Sequence, residues 1–237
     1  MTEVARATSS RGGDLLLLRR HDGDRTVLEL RVDGVFVMDT AETSSEEALA
    51  QLPLDAAEAP GHVVVAGLGL GCTLARVLAD ARVCDVTVVE AEAPIVEWLR
   101  SDVVPGGGTV LADPRVEVHV GDARAWIEQS PPGSVDVLLL DVDNGPDYLV
   151  HRANVALYQP PFLGVCAAVL TPTGVLAVWS TSQPAALAAA LRTTFADVRT
   201  HACPVRLQGR DLAYWVVVAT RPQRRGAPVR PRPTGRG

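Results

Sequence analysis

The 237-residue chain contains no lysine, so all 22 of its basic residues are arginines. We interpret this absence as a compositional bias and not as a functional feature. The chain also lacks an apolar run of the roughly 18 to 20 residues that a membrane-spanning helix needs. Its first ten residues, MTEVARATSS, lack the apolar core of a signal peptide. Both absences predict a cytoplasmic protein with no membrane partner.

Cysteine is scarce, and its pattern excludes a common kind of metal site. The four cysteines stand singly at Cys72, Cys84, Cys166 and Cys203, without the close pairs that bind zinc. We expect free thiols in a reducing compartment and no bound metal.

The C-terminal end of the chain differs in charge from the rest. The net charge is −6, yet residues 221–237 contain six arginines and no acid. Without those six charges the rest of the chain carries −12, which repels phosphate and makes nucleic acid an improbable partner for this acidic body. The segment 221–237 is rich in proline and glycine and has no core-forming run, so it is predicted to be a disordered tail.

The first sixty residues predict a small β-region followed by a helix. The segments DLLLLRR, TVLELRV and VFVMDT have the composition of strands. Asp33 and Gly34 between the last two predict a two-residue hairpin turn. TSSEEALAQL then predicts a helix that ends before Pro53. Residues 1–60 therefore form a lead-in region with a β-hairpin.

Apolar strands alternate with amphipathic helices from residue 62 onward. HVVVA, DVTVVE, RVEVHV, VDVLLLDV and GVLAVWS are five such strands, and ADVRTHACPV and LAYWVVVAT predict a closing hairpin. Continuous apolar strands separated by helices indicate a mostly parallel sheet with both faces covered. The fold class is α/β, a Rossmann-like, doubly wound, seven-stranded sheet in a domain that spans residues 61–220.

Three glycines at alternate positions follow the first of these strands, in VVVAGLGLGC. Gly67, Gly69 and Gly71 lie at the carboxyl edge of the predicted sheet, where such folds bind ligands, and glycine lets a ligand approach the backbone. A tight strand-to-helix turn without a ligand is the alternative. The dinucleotide fingerprint requires glycine or alanine where this chain has Cys72. The spacing instead favours an S-adenosylmethionine site over an NAD site.

Two acids end the next two strands. Glu90, followed by Ala91, is placed to accept hydrogen bonds from ribose hydroxyls. Asp122 is placed to accept from an adenine amino group, and the N–H of Ala123 to donate to a ring nitrogen. A helix cap is the alternative role for Asp122. Together with the glycines, these residues predict a cofactor site for an adenosyl sulfonium.

Residues 26–200 resemble the spermidine synthase family, within the class I adenosylmethionine-dependent transferases. The resemblance rests on LELRVDGVFVMDTAETSSEEALAQLPL, VVVAGLGLGCTLARVL, VTVVEAE, DPRVEVHVGDARAWI, VDVLLLDVDNGPDYL and LTPTGVLAVWS. It implies a thioadenosine-type pocket with Glu90 on ribose and Asp122 on adenine. It also implies that Asp141 faces the reacting centre and that the protein is a homodimer.

The loop after the fourth strand supplies the other candidate site residues. Asp141 and Asp143 are the candidate catalytic residues, with Asp141 also contacting the cofactor. Asn144 and Tyr148 are candidate substrate-binding residues in a loop that could close over the pocket. Tyr158 is a further candidate, which either points into the pocket or packs in the core.

Three departures from the family pattern leave the reaction open. Leu70 and Asn144 stand where aminopropyltransferases carry aspartates, and Ser45-Glu46-Glu47 stands where they carry Tyr-His-Glu. Because these family residues hold amine groups, we expect methyl transfer from S-adenosylmethionine to a small-molecule acceptor. Aminopropyl transfer from decarboxylated S-adenosylmethionine is the alternative, and a non-catalytic nucleoside-binding protein is a third hypothesis.

Overall fold

The computed structural model describes residues 1–10, 12–142, 145, 152–207 and 209–223, and it opens with a four-stranded antiparallel sheet. Its strands, in spatial and chain order, are β1 (Thr2–Thr8), β2 (Asp14–Asp22), β3 (Arg25–Val32) and β4 (Val35–Asp39). Asp33 and Gly34 have φ of 51° and 76°, as the predicted two-residue turn requires. The strand β1 was not predicted, because its sequence TEVARAT has few apolar residues and lies at a sheet edge.

The first helix continues past the predicted stop. α1 spans Ser44–Ala56 and includes Pro53, so the expectation that it ends before Pro53 is wrong. A proline inside a helix loses one backbone hydrogen bond and costs about 3 kcal/mol in an exposed helix. Here Pro53 and Leu54 are both buried against the core, and their burial offsets that cost.

The second sheet has seven strands in the order β10-β11-β9-β8-β5-β6-β7. The elements that build it are, in chain order, β5 (His62–Ala66), α2 (Cys72–Leu78), β6 (Asp85–Glu90), α3 (Ala93–Arg100), α4 (Gly107–Leu111), β7 (Val116–Val120), α5 (Ala123–Gln129), β8 (Val135–Leu140), a 3-10 helix (Arg152–Tyr158), α6 (Pro160–Val169), β9 (Leu170–Ser180), α7 (Ala185–Leu191), β10 (Phe195–Leu207) and β11 (Arg210–Pro222).

The pairing of these strands confirms the predicted α/β class. β7, β6, β5, β8 and β9 are parallel, while β11 pairs antiparallel with both β9 and β10. The predicted closing hairpin is therefore present. The short helix α4 was not predicted, since it begins in a run of glycines.

Each face of this sheet packs against its own helices. On β8, Val137 and Leu139 join the core formed with α1, α2, α3 and the N-terminal sheet, whereas Leu138 and Leu140 join the core formed with α5, α6 and α7. Side chains alternate between faces with a period of two. Asp141, the next residue of the Val137–Leu139 series, is thereby directed toward α1 and α2.

Within the described part of the chain, no helix is both long and apolar enough to cross a membrane. The first core is continuous from the N-terminal sheet to the seven-stranded sheet, since Leu15 and Leu30 belong to the same cluster as Val63 and Leu74. The division into segments 1–60, 61–220 and 221–237 stays a prediction. Residues 224–237 of the arginine-rich tail lie outside the described residues.

Candidate active site

The ends of β5, β6, β7 and β8 meet at the carboxyl edge of the parallel sheet. The Gly67 N–H donates to the Val89 carbonyl at 2.9 Å, and the Asp141 N–H donates to the Ala66 carbonyl at 2.8 Å. The N–H of Gly121 donates to the Glu90 carbonyl, also at 2.8 Å. These bonds extend the ladder past the strands, so the glycine loop, Glu90 and Asp141 lie along one edge.

The three glycines are required by the protein's own backbone. Gly67, Gly69 and Gly71 have φ of 97°, 50° and 86°, a region that side chains strongly disfavour. A Cβ on Gly67 would overlap the Asp141 carbonyl oxygen, and one on Gly69 would lie 2.7 Å from Met38 Sδ. These contacts explain the glycine pattern without a ligand, and the cofactor-binding role of these residues stays a prediction.

Glu90 ends β6 and is 6 % exposed. Its Oε2 accepts from the N–H of Leu68 at 2.7 Å, and its Oε1 accepts from the N–H of Glu92 at 2.8 Å. Burial raises the pKa of Glu90, and the nearby charge of Glu92 raises it further, against these backbone donors. The Glu90 carboxylate therefore holds the glycine loop in place through its hydrogen bond with Leu68. Ala91, which follows it, is half-buried.

Asp122 follows β7 and is exposed at the start of α5. Its Oδ1 accepts from the Ala125 N–H at 2.9 Å, which is the bond of a helix N-cap. Ala123, the first helical residue, is half-buried. The cap hypothesis for Asp122 thus has a direct contact, while its predicted adenine contact and that of the Ala123 N–H stay predictions.

Asp141 lies directly after β8 and has one hydrogen-bond partner on α2. The Thr73 hydroxyl donates to its Oδ2 at 2.9 Å. Burial raises the pKa of Asp141 to about 6, opposed by the Thr73 bond and assisted by the charge of Glu90. A carboxyl with this pKa is suited to accept a proton near neutral pH. Sequence reasoning missed Thr73, because a hydroxyl in a helix has no distinctive pattern.

Several predicted residues cannot be placed. Asp143, Asn144 and Tyr148 lie outside the described residues.

Tyr158 is 5 % exposed and packs in the second core, and its hydroxyl donates to the Val142 carbonyl at 2.6 Å. Tyr158 therefore anchors the start of the loop after Asp141, and its contact with a substrate stays a prediction.

The structure adds a second acid, Glu46, near Asp141. Glu46 lies in the first turn of α1 and is 7 % exposed, and its Oε2 accepts from the fully buried Ser45 hydroxyl at 2.5 Å. Burial raises the pKa of Glu46 to about 7, and the charge of Asp141 contributes to the rise. The two carboxyls are thus close enough to interact, although they come from distant parts of the sequence.

Two aromatic residues lie on the same face of the sheet. Trp179 at the end of β9 and Tyr214 on β11 contact each other edge to face, with ring centroids 5.0 Å apart. Burial raises the pKa of Tyr214, and the nearby charge of Glu46 raises it further.

The Cys72 thiol on α2 lies near the same acids. Burial and the charges of Glu46 and Asp141 raise the pKa of Cys72 to about 12, so this thiol stays protonated. Such a thiol is a poor nucleophile.

Solved structures place the fold in a known class. The spermidine synthase of Thermotoga maritima superposes with a TM-score of 0.76 at 16 % identity, covering 93 % of this chain and 73 % of that one. A spermidine synthase in complex with the transition-state analogue AdoDATO gives 0.77 at 19 % identity, covering 93 % and 74 %. The α/β fold of this chain is therefore the fold of spermidine synthases.

Sequence comparison then gives the family. The model of the spermine/spermidine synthase domain matches residues 42–203. The chain belongs to this family. The match includes α1, the glycine loop and Asp141.

Two curated relatives show how far the likeness extends. Polyamine aminopropyltransferase 2 of Pseudomonas aeruginosa is 33 % identical over 191 residues, which cover 73 % of this chain and 52 % of the relative. Spermine synthase of Arabidopsis thaliana is 29 % identical over 150 residues, covering 62 % and 40 %. The chain thus spans about half the length of the curated relatives it matches.

These comparisons do not support the expectation that the protein transfers a methyl group. The names of the relatives favour the alternative that the sequence left open, aminopropyl transfer. The departures at Leu70, Ser45 and Asn144 therefore do not by themselves indicate methyl transfer.

Proposed function

We propose that the protein is an aminopropyltransferase that uses decarboxylated S-adenosylmethionine as donor and a small amine as acceptor. The observation that carries this proposal is the family match over residues 42–203, which includes the half-buried Asp141 at the sheet edge. The names of the relatives add support, since two of them are aminopropyl-transferring or spermine-forming enzymes.

The reaction is a displacement at carbon. The neutral nitrogen of the acceptor, its lone pair free of any hydrogen bond at that moment, attacks the propyl carbon bound to the sulfonium, a C–N bond forms, and the C–S bond breaks. Methylthioadenosine leaves with the electron pair, and the new ammonium then loses one proton. Positioning the two reactants supplies much of the acceleration in such a step.

We assign to Asp141 the role of the general base that accepts this proton. Its pKa of about 6 leaves it ionised at neutral pH, and the Thr73 hydroxyl holds one oxygen while the other can face the acceptor. General-base assistance of this kind contributes roughly 10²- to 10⁴-fold. Glu90 and Asp122 are assigned to ribose and adenine. The cytoplasmic location and the homodimer remain part of the proposal.

Mass spectrometry of the reaction products tests the function. Purified protein is incubated with decarboxylated S-adenosylmethionine and 1,4-diaminobutane, and in parallel with S-adenosylmethionine and the same amine. We expect methylthioadenosine and an aminopropylated amine in the first mixture only. Formation of S-adenosylhomocysteine with a methylated amine would instead establish methyl transfer. If neither mixture yields a product, the protein does not have the proposed function.

A further inference from the structure

The titratable side chains described around Glu46 are acidic or neutral. α1 packs against α2, β8, β9, β10 and β11, and the titratable groups it meets there are acidic or neutral. They are Glu42 on the segment before α1, Cys72 on α2, Asp141 after β8, Cys203 on β10 and Tyr214 on β11. Among the residues that the structure describes, none forms an ion pair with Glu46 or with Asp141.

The nearby arginine on α2 does not neutralise this cluster. Arg76 is exposed and its guanidinium donates to the Gln51 side chain. On the inner side of α1, Glu46 is buried and Asp141 is half-buried, so the effective dielectric constant is low and charges interact more strongly than in water. Burying carboxyls in this way is costly unless a positive group joins them. A bound cation would supply that group.

A second feature on this face also lacks a partner. The indole Nε1 of Trp179 is buried and, in the part of the chain that the structure covers, has no hydrogen-bond acceptor. β8 and β9 pair in register from Leu139–Ala177 to Leu140–Val178, so Trp179 lies at the position beside Asp141 on the same face. A buried N–H without an acceptor is energetically unfavourable.

The two features together describe the missing ligand. The carboxyls require a positive group, and Trp179 requires an atom with a lone pair. The aminopropyl donor and the acceptor amine together offer both. The amino group of the donor is protonated, and the nitrogen of the acceptor that later attacks is neutral and has a lone pair. The ring faces of Trp179 and Tyr214 would pack against the alkyl chain, and their π-electrons favour a cation.

Building on the proposed function, we propose that Glu46 makes this site select a donor that has no carboxylate. S-adenosylmethionine and its decarboxylated form share the nucleoside, the sulfonium and the amino group, and they differ in the carboxylate beside that amino group. With the nucleoside on Glu90 and Asp122 and the sulfur near Asp141, the differing group falls beside Glu46 and Asp141. A carboxylate there is repelled, whereas an ammonium is attracted, which is discrimination by an unfavourable contact.

Calorimetry with three nucleosides tests the proposal. Methylthioadenosine, S-adenosylmethionine and decarboxylated S-adenosylmethionine are each titrated into the wild type and into Glu46→Gln. We expect the wild type to bind the decarboxylated form at least about tenfold more tightly than S-adenosylmethionine. In Glu46→Gln this ratio falls at least about fivefold, while the affinity for methylthioadenosine changes less than about twofold, since that ligand carries neither charged group.

Two further variants make the result specific. Glu47→Gln removes an exposed charge from the same turn of α1 and is expected to keep the wild-type ratio. Glu46→Ala removes the charge with a different side chain and is expected to lower the ratio as Glu46→Gln does. It also serves as the test if the glutamine variant does not fold.

The outcomes separate the two proposals. If methylthioadenosine binds and the ratio is unchanged in both Glu46 variants, the role of Glu46 is refuted and the nucleoside site stands. If the wild type prefers S-adenosylmethionine, the role of Glu46 and the aminopropyl donor are both wrong. If no nucleoside binds to the wild type, the proposed function fails and the selectivity proposal fails with it.

Discussion

Replacing Glu46 by glutamine should make the unliganded protein more stable at alkaline pH. The pKa of Glu46 rises from its ordinary value of 4.5 to about 7 in the folded state. Between these values the folded state holds more protons than the unfolded state, so stability is greatest at low pH and falls as pH rises through this window. One pH unit corresponds to about 1.4 kcal/mol, which gives a loss of about 3 kcal/mol by pH 8.

Glutamine resembles the protonated acid and does not suffer this loss. The Ser45 hydroxyl can still donate to its side-chain oxygen, so the hydrogen bond at 2.5 Å has a replacement. We expect Glu46→Gln to exceed the wild type by about 2–3 kcal/mol at pH 8 and by less than about 1 kcal/mol at pH 5. For a chain of 237 residues, the larger difference raises Tm by about 4–12 °C.

Thermal unfolding followed by circular dichroism at pH 5 and pH 8 measures the effect. The matched control is Glu47→Gln, an exposed acid whose replacement should leave the pH dependence of Tm unchanged. If Glu46→Gln has the same pH dependence as the wild type, or is less stable than it at pH 8, Glu46 is not a buried acid with a raised pKa. The electrostatic basis of the selectivity proposal would then be lost.

Other predictions follow from single contacts. Asp141→Asn should abolish turnover without lowering Tm, because the asparagine keeps the Thr73 contact; an unchanged rate would show that Asp141 is not the base. Gly67→Ala should cost about 2–4 kcal/mol in urea unfolding, because its φ is 97° and its Cβ meets the Asp141 carbonyl, whereas Gly121→Ala, which has open space, should cost under about 1 kcal/mol; equal losses would refute the close approach. Asp122→Ala should lose about 1 kcal/mol of stability as a cap and weaken nucleoside binding by about 1–3 kcal/mol in calorimetry, and a change in stability alone would leave it only a cap.

The central strands of the seven-stranded sheet, β5, β6 and β8, were predictable because nearly all of their residues are buried. Runs such as VDVLLLDV have no polar alternation and leave little ambiguity between strand and surface helix. The strand β1 was not predictable in this way. Its residues are mostly exposed or half-buried, and it exists because β2 offers it a free edge.

The extent of α1 shows the limit of local rules. Pro53 is a helix breaker by its chemistry, yet α1 continues for three residues beyond it. The continuation depends on the burial of Leu54, which is set by tertiary packing and is not visible in the local sequence.

The candidate site was predicted where it follows from strand ends. Glu90 ends a strand, Asp122 and Asp141 each follow one, and the parallel sheet places them along one edge. Glu46 was noted only as a departure from the family triplet. Its position near Asp141 requires α1 to fold over the sheet face, which brings residues that are 95 positions apart in the chain within electrostatic range of each other.

Leu70 shows in a second way that one motif position does not determine the charge of the site. The sequence suggested that Leu70 removes a carboxylate from the site. Leu70 is 6 % exposed and packs in the first core, and its N–H donates to Met38 Sδ at 3.3 Å. Glu46 brings a carboxylate to the same face from another helix. Charge in a site is therefore a property of the assembled neighbours and not of one motif position.

The most direct test of the account is a crystal structure of the protein with methylthioadenosine and 1,4-diaminobutane. We predict the adenosine across the carboxyl edge of the sheet, with its ribose at Glu90 and its adenine at Asp122. Its sulfur should face Asp141, and an amine nitrogen should lie between Asp141 and Glu46. A nucleoside bound elsewhere, or an amine that avoids both of these carboxylates, would contradict the account.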